Sequence, residues 1–193
     1  MIVQQEKHTG RMETYGERVA RYRVRAGFLL GAIYLTWAQP TPGRLVLGAA
    51  IALVGLLLRA WSAGCLEKDQ RLATGGPYAY TRNPLYLGSA LAAFGFAIAG
   101  GRWWFFLLLC TFFATVYWPV MRKEQAHLGR LFPEEFPAYA QAVPMFWPRL
   151  RPWGGSASPV RFGLARYRQN REYRALFGSL VIVLFLWVRM SWS

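Results

Sequence analysis

Five apolar stretches, residues 26–38, 45–58, 85–101, 103–121 and 175–188, divide this chain, and Lys and Arg gather between them. In lipid an unpaired backbone amide has no water to turn to, so such stretches fold as helices. The expected fold is all-α: a polytopic membrane protein with about five transmembrane helices and a cytoplasmic amphipathic helical segment. Several stretches fall short of the ~20 apolar residues of a full span. They must borrow flanking residues, snorkel their arginines or pack as tight hairpins. The stretch 45–58, for one, continues through Arg59 towards Leu66.

Where the cations fall sets the orientation. With the N-terminus in the cytoplasm, 20 of the 23 Lys and Arg lie on or near that side: six before residue 26, then Arg59, Lys68, Arg71 and Arg82, then ten from Arg122 to Arg174. Arg44, Arg102 and Arg189 fall on the other. The positive-inside rule gives N-terminus in, C-terminus out and five crossings. The turns QPTPG (39–43) and GGR (100–102) suit short hairpins on the far side. One integral membrane domain (1–193) then contains a cytoplasmic N-terminal segment (1–25), a basic cytoplasmic linker (149–174) and a C-terminal transmembrane helix (175–190). The N-terminal segment is charged throughout, so the first apolar stretch is expected to do its own inserting.

The formal charge of +14 would suggest nucleic acid in a soluble protein. Basic residues placed between apolar runs suit an anionic membrane surface instead, and no nucleic-acid-binding signature is present. Cys65 and Cys110 offer neither a disulfide framework nor CxxC spacing. With His8 and His127 as the only histidines, no metal site is expected. Small size and an Ala-, Arg- and Gly-rich composition point to a bacterial cytoplasmic (inner) membrane.

The elaborate sequence falls on the cytoplasmic side. In GPYAYTRNPLYLG (76–88) the turn TGGP (74–77) leads to Pro84, which suits the first turn of a helix, where its missing N–H costs nothing. Asn83 is placed as the N-cap. Tyr86 and Gly88 follow in the first turns, Gly88 letting a flat group approach the backbone. The open amides of that helix start favour an anionic group such as a carboxylate. Gly88, Gly95, Gly100 and Gly101 have two equal readings, room for a lipophilic molecule to enter sideways between the third and fourth helices, or ordinary close helix packing.

In RKEQAHLGRLFPEEFPAYAQAVPMFWPRL (122–150), Glu124 lies about one turn past the end of the fourth helix. A buried carboxylate at that depth needs a partner: a cationic ligand group, Arg82 or Arg122. Leu128, Leu131, Phe132, Phe136 and Tyr139 recur at helical spacing as an amphipathic surface helix. Glu134 and Glu135 face water, and His127 reads as an interfacial residue rather than a base.

Together these segments resemble the isoprenylcysteine carboxyl methyltransferase family, with its related phospholipid methyltransferases. GPYAYTRNPLYLG is similar to GPYxxxRHPxYxG, and EQAHLGRLFPEEFPAYAQAVPMFWP to EExxLxxxFGxxYxxYxxxVPxxxP. The resemblance covers residues 45 to 148. It implies an integral membrane enzyme that uses S-adenosyl-L-methionine without a Rossmann domain, the cofactor sitting at the cytoplasmic face. By motif, the implied cofactor-binding residues are Gln70, Arg71, Leu72, Ala73, Tyr78, Asn83, Pro84, Leu85, Tyr86, Gly88 and Glu124. Arg82, Arg122 and Glu124 are the implied catalytic residues, and the implied partner is a lipophilic small molecule or lipid acceptor.

The chain departs from the pattern at Asn83 for histidine, Gln125 for glutamate, Pro133 for glycine and Phe136 for tyrosine. Val120 stands where isoprenylcysteine enzymes carry an arginine for the substrate carboxylate, which weakens the case for that substrate. No residue is an obvious base, so an already ionised or easily deprotonated nucleophile is favoured. Two other readings stay open: an NADPH-dependent membrane reductase, with Arg71, Arg82, Arg122 and Lys123 as its phosphate cluster, and a non-catalytic scaffold. The sequence does not distinguish monomer from dimer.

Overall fold

The structure, a computed structural model, describes residues 25–154 and 162–192. Expectations that fall on residues 1–24 and on Arg161 lie outside them. The helices are α1 (25–37), α2 (Pro42–Gly64), α3 (Pro84–Gly100), α4 (Trp104–Leu131), α5 (Phe136–Ala142), α6 (Leu164–Gln169) and α7 (Tyr173–Ser191), with a single 3-10 turn at Gly76–Ala79. No strand occurs among the described residues. The five apolar stretches are α1, α2, α3, α4 and α7. Of these, α2, α4 and α7 are long and apolar enough to cross a membrane. The chain is an all-α integral membrane protein.

The antiparallel hairpin of α2 and α3 is built on small residues. Gly48 lies against Gly95 and Ala99, and Gly55 against Gly88 and Ala92. A Cβ on Gly55 would stand 2.5 Å from both the Ala92 nitrogen and the Gly88 carbonyl oxygen. Lipid tails are as apolar as leucine, so close backbone approach, not solvent exclusion, holds such helices together. Gly101 ends α3 with φ 69, its N–H donating to Ile98 O at 3.0 Å.

At that end of the bundle the Gln39 N–H donates to Gly100 O at 2.8 Å, joining the two turns expected on one side. The Arg189 guanidinium of α7 donates to Leu35 O (2.7 Å) and Thr36 O (2.8 Å), satisfying carbonyls left open at the end of α1. Leu186 is buried there with Ala38, Leu45, Ala97, Ala99 and Phe105, so α7 packs on the core.

Two expectations are corrected at the opposite, basic end. The fourth helix does not stop at residue 121, and Glu124 belongs to the same unbroken helix. At ~1.5 Å per residue, the 28 residues of α4 outrun the ~30 Å hydrocarbon core, so its last turns stand beyond it. Pro119 has no N–H for the Thr115 carbonyl and crowds it, and the preceding turn, Phe113–Tyr117, widens into a π-helix. The amphipathic surface helix expected across 128–139 is broken instead. Phe132, forced out of helical geometry by Pro133, takes φ −125 and ψ 63. Leu128 and Phe132 still meet Phe136 and Tyr139, on the far side of the break, in a cluster around Leu72 and Val143.

Candidate functional site

The two motif segments, separated in sequence by a helix hairpin, are hydrogen-bonded along their length. Arg82 N–H donates to Pro144 O (3.0 Å), Arg149 N–H to Tyr80 O (2.9 Å) and Trp153 N–H to Ala79 O (3.0 Å). The Asn83 side-chain amide donates to Met145 O (2.8 Å), the Thr81 hydroxyl to Phe146 O (2.9 Å), and the buried Tyr139 hydroxyl to Tyr78 O (2.8 Å). A loop left to water would need none of these; a buried one needs its polar groups paired.

A cavity of about 670 Å³ opens where the segments meet. It is walled by the loop after α2, the start of α3, one face of α4 and residues 170–172. Of the residues implied by the motifs, Arg71, Leu72, Ala73, Tyr78, Arg82, Asn83, Pro84, Leu85, Tyr86 and Glu124 line it. Gln70, Gly88 and Arg122 do not. Gln70 is exposed in the turn after α2, its N–H on Glu67 O at 3.3 Å. Arg122 is exposed two residues before Glu124, which puts it on another face of α4. Gly88 faces α2, where a Cβ would stand 2.6 Å from Gly55 O, so its role is helix packing and not room for a ligand.

Asn83 is not a side-chain N-cap. Its amide is used on Met145, and with φ −129 and ψ 57 it delivers the chain to Pro84. The first amides of α3 are therefore without a side-chain cap at a helix start that lines the cavity. Glu124 is exposed, not buried, and forms no ion pair with Arg82, Arg122 or any other described residue.

Tyr78 is buried, and its hydroxyl has no hydrogen-bond partner among the described residues. Burial, and then the neighbouring Glu124 charge, hold its phenol well above the ordinary pKa. Burial likewise raises Tyr139, with Arg82 opposing. The Arg82 guanidinium sits 5.9 Å from the centre of the Phe136 ring with Nε buried and unpartnered, and burial lowers its pKa.

Sequence reasoning missed Asn170 and Glu172, both in the cavity wall. Glu172 had a signal: it is the one acidic residue in the run 161–174, among five arginines. His127, read as interfacial, also lines the cavity and pairs with Asp69 at 3.2 Å. Within the 149–174 stretch read as a linker, the described residues include α6 and dock on the end of α2.

A family profile for phospholipid methyltransferases matches residues 44–135, from the start of α2 to the turn before α5. The cobalt-zinc-cadmium resistance protein CzcN of Cupriavidus metallidurans is 32% identical over 151 residues, covering 73% of this chain and 68% of that protein. The nickel-cobalt-cadmium resistance protein NccN of Alcaligenes xylosoxydans xylosoxydans is 36% identical over 107 residues, covering 54% of this chain and 48% of that protein. No solved structure matches the chain.

Proposed function

The chain belongs to the phospholipid methyltransferase family, and from that premise we propose that it transfers a methyl group from S-adenosylmethionine to a lipophilic acceptor, a carboxylate or lipid head group. The reaction is placed at the cytoplasmic face of a bacterial inner membrane, with the N-terminus inside. The observation that carries this reading is the cavity formed where the two motif segments are hydrogen-bonded together.

The residues present fit such a ligand. A volume of about 670 Å³ is within the ~300–1,000 Å³ of small-molecule pockets. The unpartnered Tyr78 hydroxyl supplies a donor, Glu124 an acceptor for ammonium or hydroxyl groups, and the uncapped amides of α3 a site for a carboxylate. Leu72, Pro84 and Tyr86 supply apolar walls for a purine. S-adenosylmethionine brings a methyl group activated by a positively charged sulfur. What the chain does is align the acceptor with that methyl and keep bulk water away.

The acceptor side is apolar. Tyr86 meets Tyr117 edge-on, ring centres 5.5 Å apart, and Tyr117 stacks on Phe113 at 4.8 Å. Both partners belong to the π-helical turn of α4, a local geometry frequent at functional sites. Val120 also lines the cavity, so a carboxylate acceptor meets no arginine at that position. Among the lining residues His127 carries the one imidazole, and it is paired with Asp69. An acceptor already ionised, such as a carboxylate, needs no base. The relatives' names attach them to metal resistance; among the described residues no three His, Cys, Asp or Glu side chains cluster to hold a metal. The role proposed in such a setting is methylation of a membrane component.

Calorimetric titration of the detergent-purified protein with S-adenosylmethionine and, separately, NADPH tests the reading. Micromolar binding of the first, lost in Glu124→Ala, supports it. Binding of NADPH instead would make the protein a reductase, and binding of neither by folded protein would leave a scaffold.

A further inference from the structure

We propose that Glu172, which lies outside the region matched by the family profile, is a ligand-binding residue of the cavity, positioned there by Arg59 to receive a positively charged group of the cofactor. The proposal rests on the S-adenosylmethionine reading above.

Glu172 lines the cavity and its side chain is 12% exposed. Arg59, from the last third of α2, grips it as a fork: Nε donates to Oε2 at 2.9 Å and Nη2 to Oε1 at 2.8 Å. The remaining Arg59 nitrogen donates to Leu85 O (3.3 Å) and to the Ser89 hydroxyl. One guanidinium thus fixes the Glu172 carboxylate relative to the first turns of α3, where Leu85 also lines the cavity. The segment that carries Glu172 is docked as firmly. Asn170 donates to Ala63 O (2.9 Å) and Leu66 O (3.2 Å), and Arg166 Nε to Gly64 O (2.8 Å). These are carbonyls at the end of α2 that the helix itself leaves open.

An arginine fork accounts for a clamp, and two further observations point past one. A carboxylate offers about four lone-pair positions, of which this fork takes two. In the same cavity wall the Tyr78 hydroxyl is buried with no hydrogen-bond partner among the described residues. Glu124 and Glu172 line the same cavity from α4 and from the C-terminal segment, and both charges help to raise the phenol's pKa after burial. The lining also carries Lys68, Arg71, Arg82 and Lys123, and its third acid, Asp69, pairs with His127. Glu124, Glu172 and the Tyr78 O–H are the groups left to receive a cation that carries N–H or O–H groups of its own.

The test is calorimetric titration of wild-type protein and Glu172→Gln with S-adenosylmethionine, alongside hydrogen exchange of wild-type residues 170–173 with and without it. Glu172→Gln keeps the shape and removes the charge. Because half of the Arg59 fork is lost, we expect it to melt below the wild type without ligand and, as folded protein, to bind about ten-fold more weakly, the loss of one charge-assisted contact. Amides 170–173 of the wild type slow their exchange when the ligand is added. Wild-type affinity in Glu172→Gln overturns the proposal, and should that variant fail to fold, unchanged exchange at 170–173 overturns it. No binding by the wild type removes the methyltransferase reading itself, a result distinguishable from either.

Discussion

The α2–α3 hairpin and the cavity end of the molecule are both places where two segments approach closely, and they are built in opposite ways. In the hairpin the contact is backbone on backbone, permitted by small residues at 48, 52 and 55 facing others at 88, 92 and 95. At the cavity the contact is made by hydrogen bonds between segments about 60 to 110 residues apart: Tyr139 on the Tyr78 carbonyl, Asn83 on that of Met145, Arg59 on the Glu172 carboxylate. The hairpin tolerates nothing added to it. The cavity end tolerates changes of size but depends on each donor. On the proposed function the first region carries the fold and the second the chemistry, and substitutions should separate them.

The largest effect is expected from Gly55→Leu. Its side chain has no place between Ala92 and the Gly88 carbonyl, and overpacking there costs about 3 kcal/mol or more. Thermal unfolding in detergent should show the loss, and a wild-type melting curve would break the account of the hairpin. Next comes Glu124→Ala. With no ion pair to lose, it should melt as the wild type does while binding S-adenosylmethionine roughly ten- to a hundred-fold more weakly. A fall in both would mean that Glu124 is structural.

Asn83→Ala loses the bond to Met145 O and should touch both regions modestly. About 1 kcal/mol of stability goes, and ligand affinity falls with the displaced start of α3. Asn83→His restores a ring N–H donor and should recover most of each. Tyr139→Phe removes one buried hydroxyl bond at a cost of about 1 kcal/mol, visible in melting.

The smallest effect is a pH slope. Tyr78 and Tyr139 both hold their protons more tightly when folded. Above about pH 10 the unfolded chain therefore loses those protons first. Stability present below that pH is lost as pH rises past it. Melting temperatures should fall more steeply above pH 10 in the wild type than in Tyr78→Phe, and equal slopes would show that the phenol is not held as described.

The same contrast explains what the sequence discloses. The apolar stretches give all five long helices, because hydropathy is a local property. Pro84 marks the start of α3 for a similarly local reason. The motif segments, set side by side, disclose half of the cavity lining, ten of its twenty residues. What fails depends on neighbours that no local pattern shows. At Gly88 the sequence leaves room for a ligand and helix packing equally open, and α2 decides for packing. Asn83 was read as a cap, but Met145 takes its amide. Glu124 was read as buried at a helix end, but α4 runs on past it. Glu172 enters the cavity through an ion pair to Arg59, a residue 113 positions away.

The most direct test of the claim that two distant segments make one cofactor pocket is ultraviolet cross-linking of methyl-labelled S-adenosylmethionine to the purified protein, with the label mapped to peptides. The expected result is label on peptides carrying both 71–86 and 120–128, abolished by excess unlabelled cofactor. Label confined to one of them, or displaced to the opposite end of the bundle, would contradict the account.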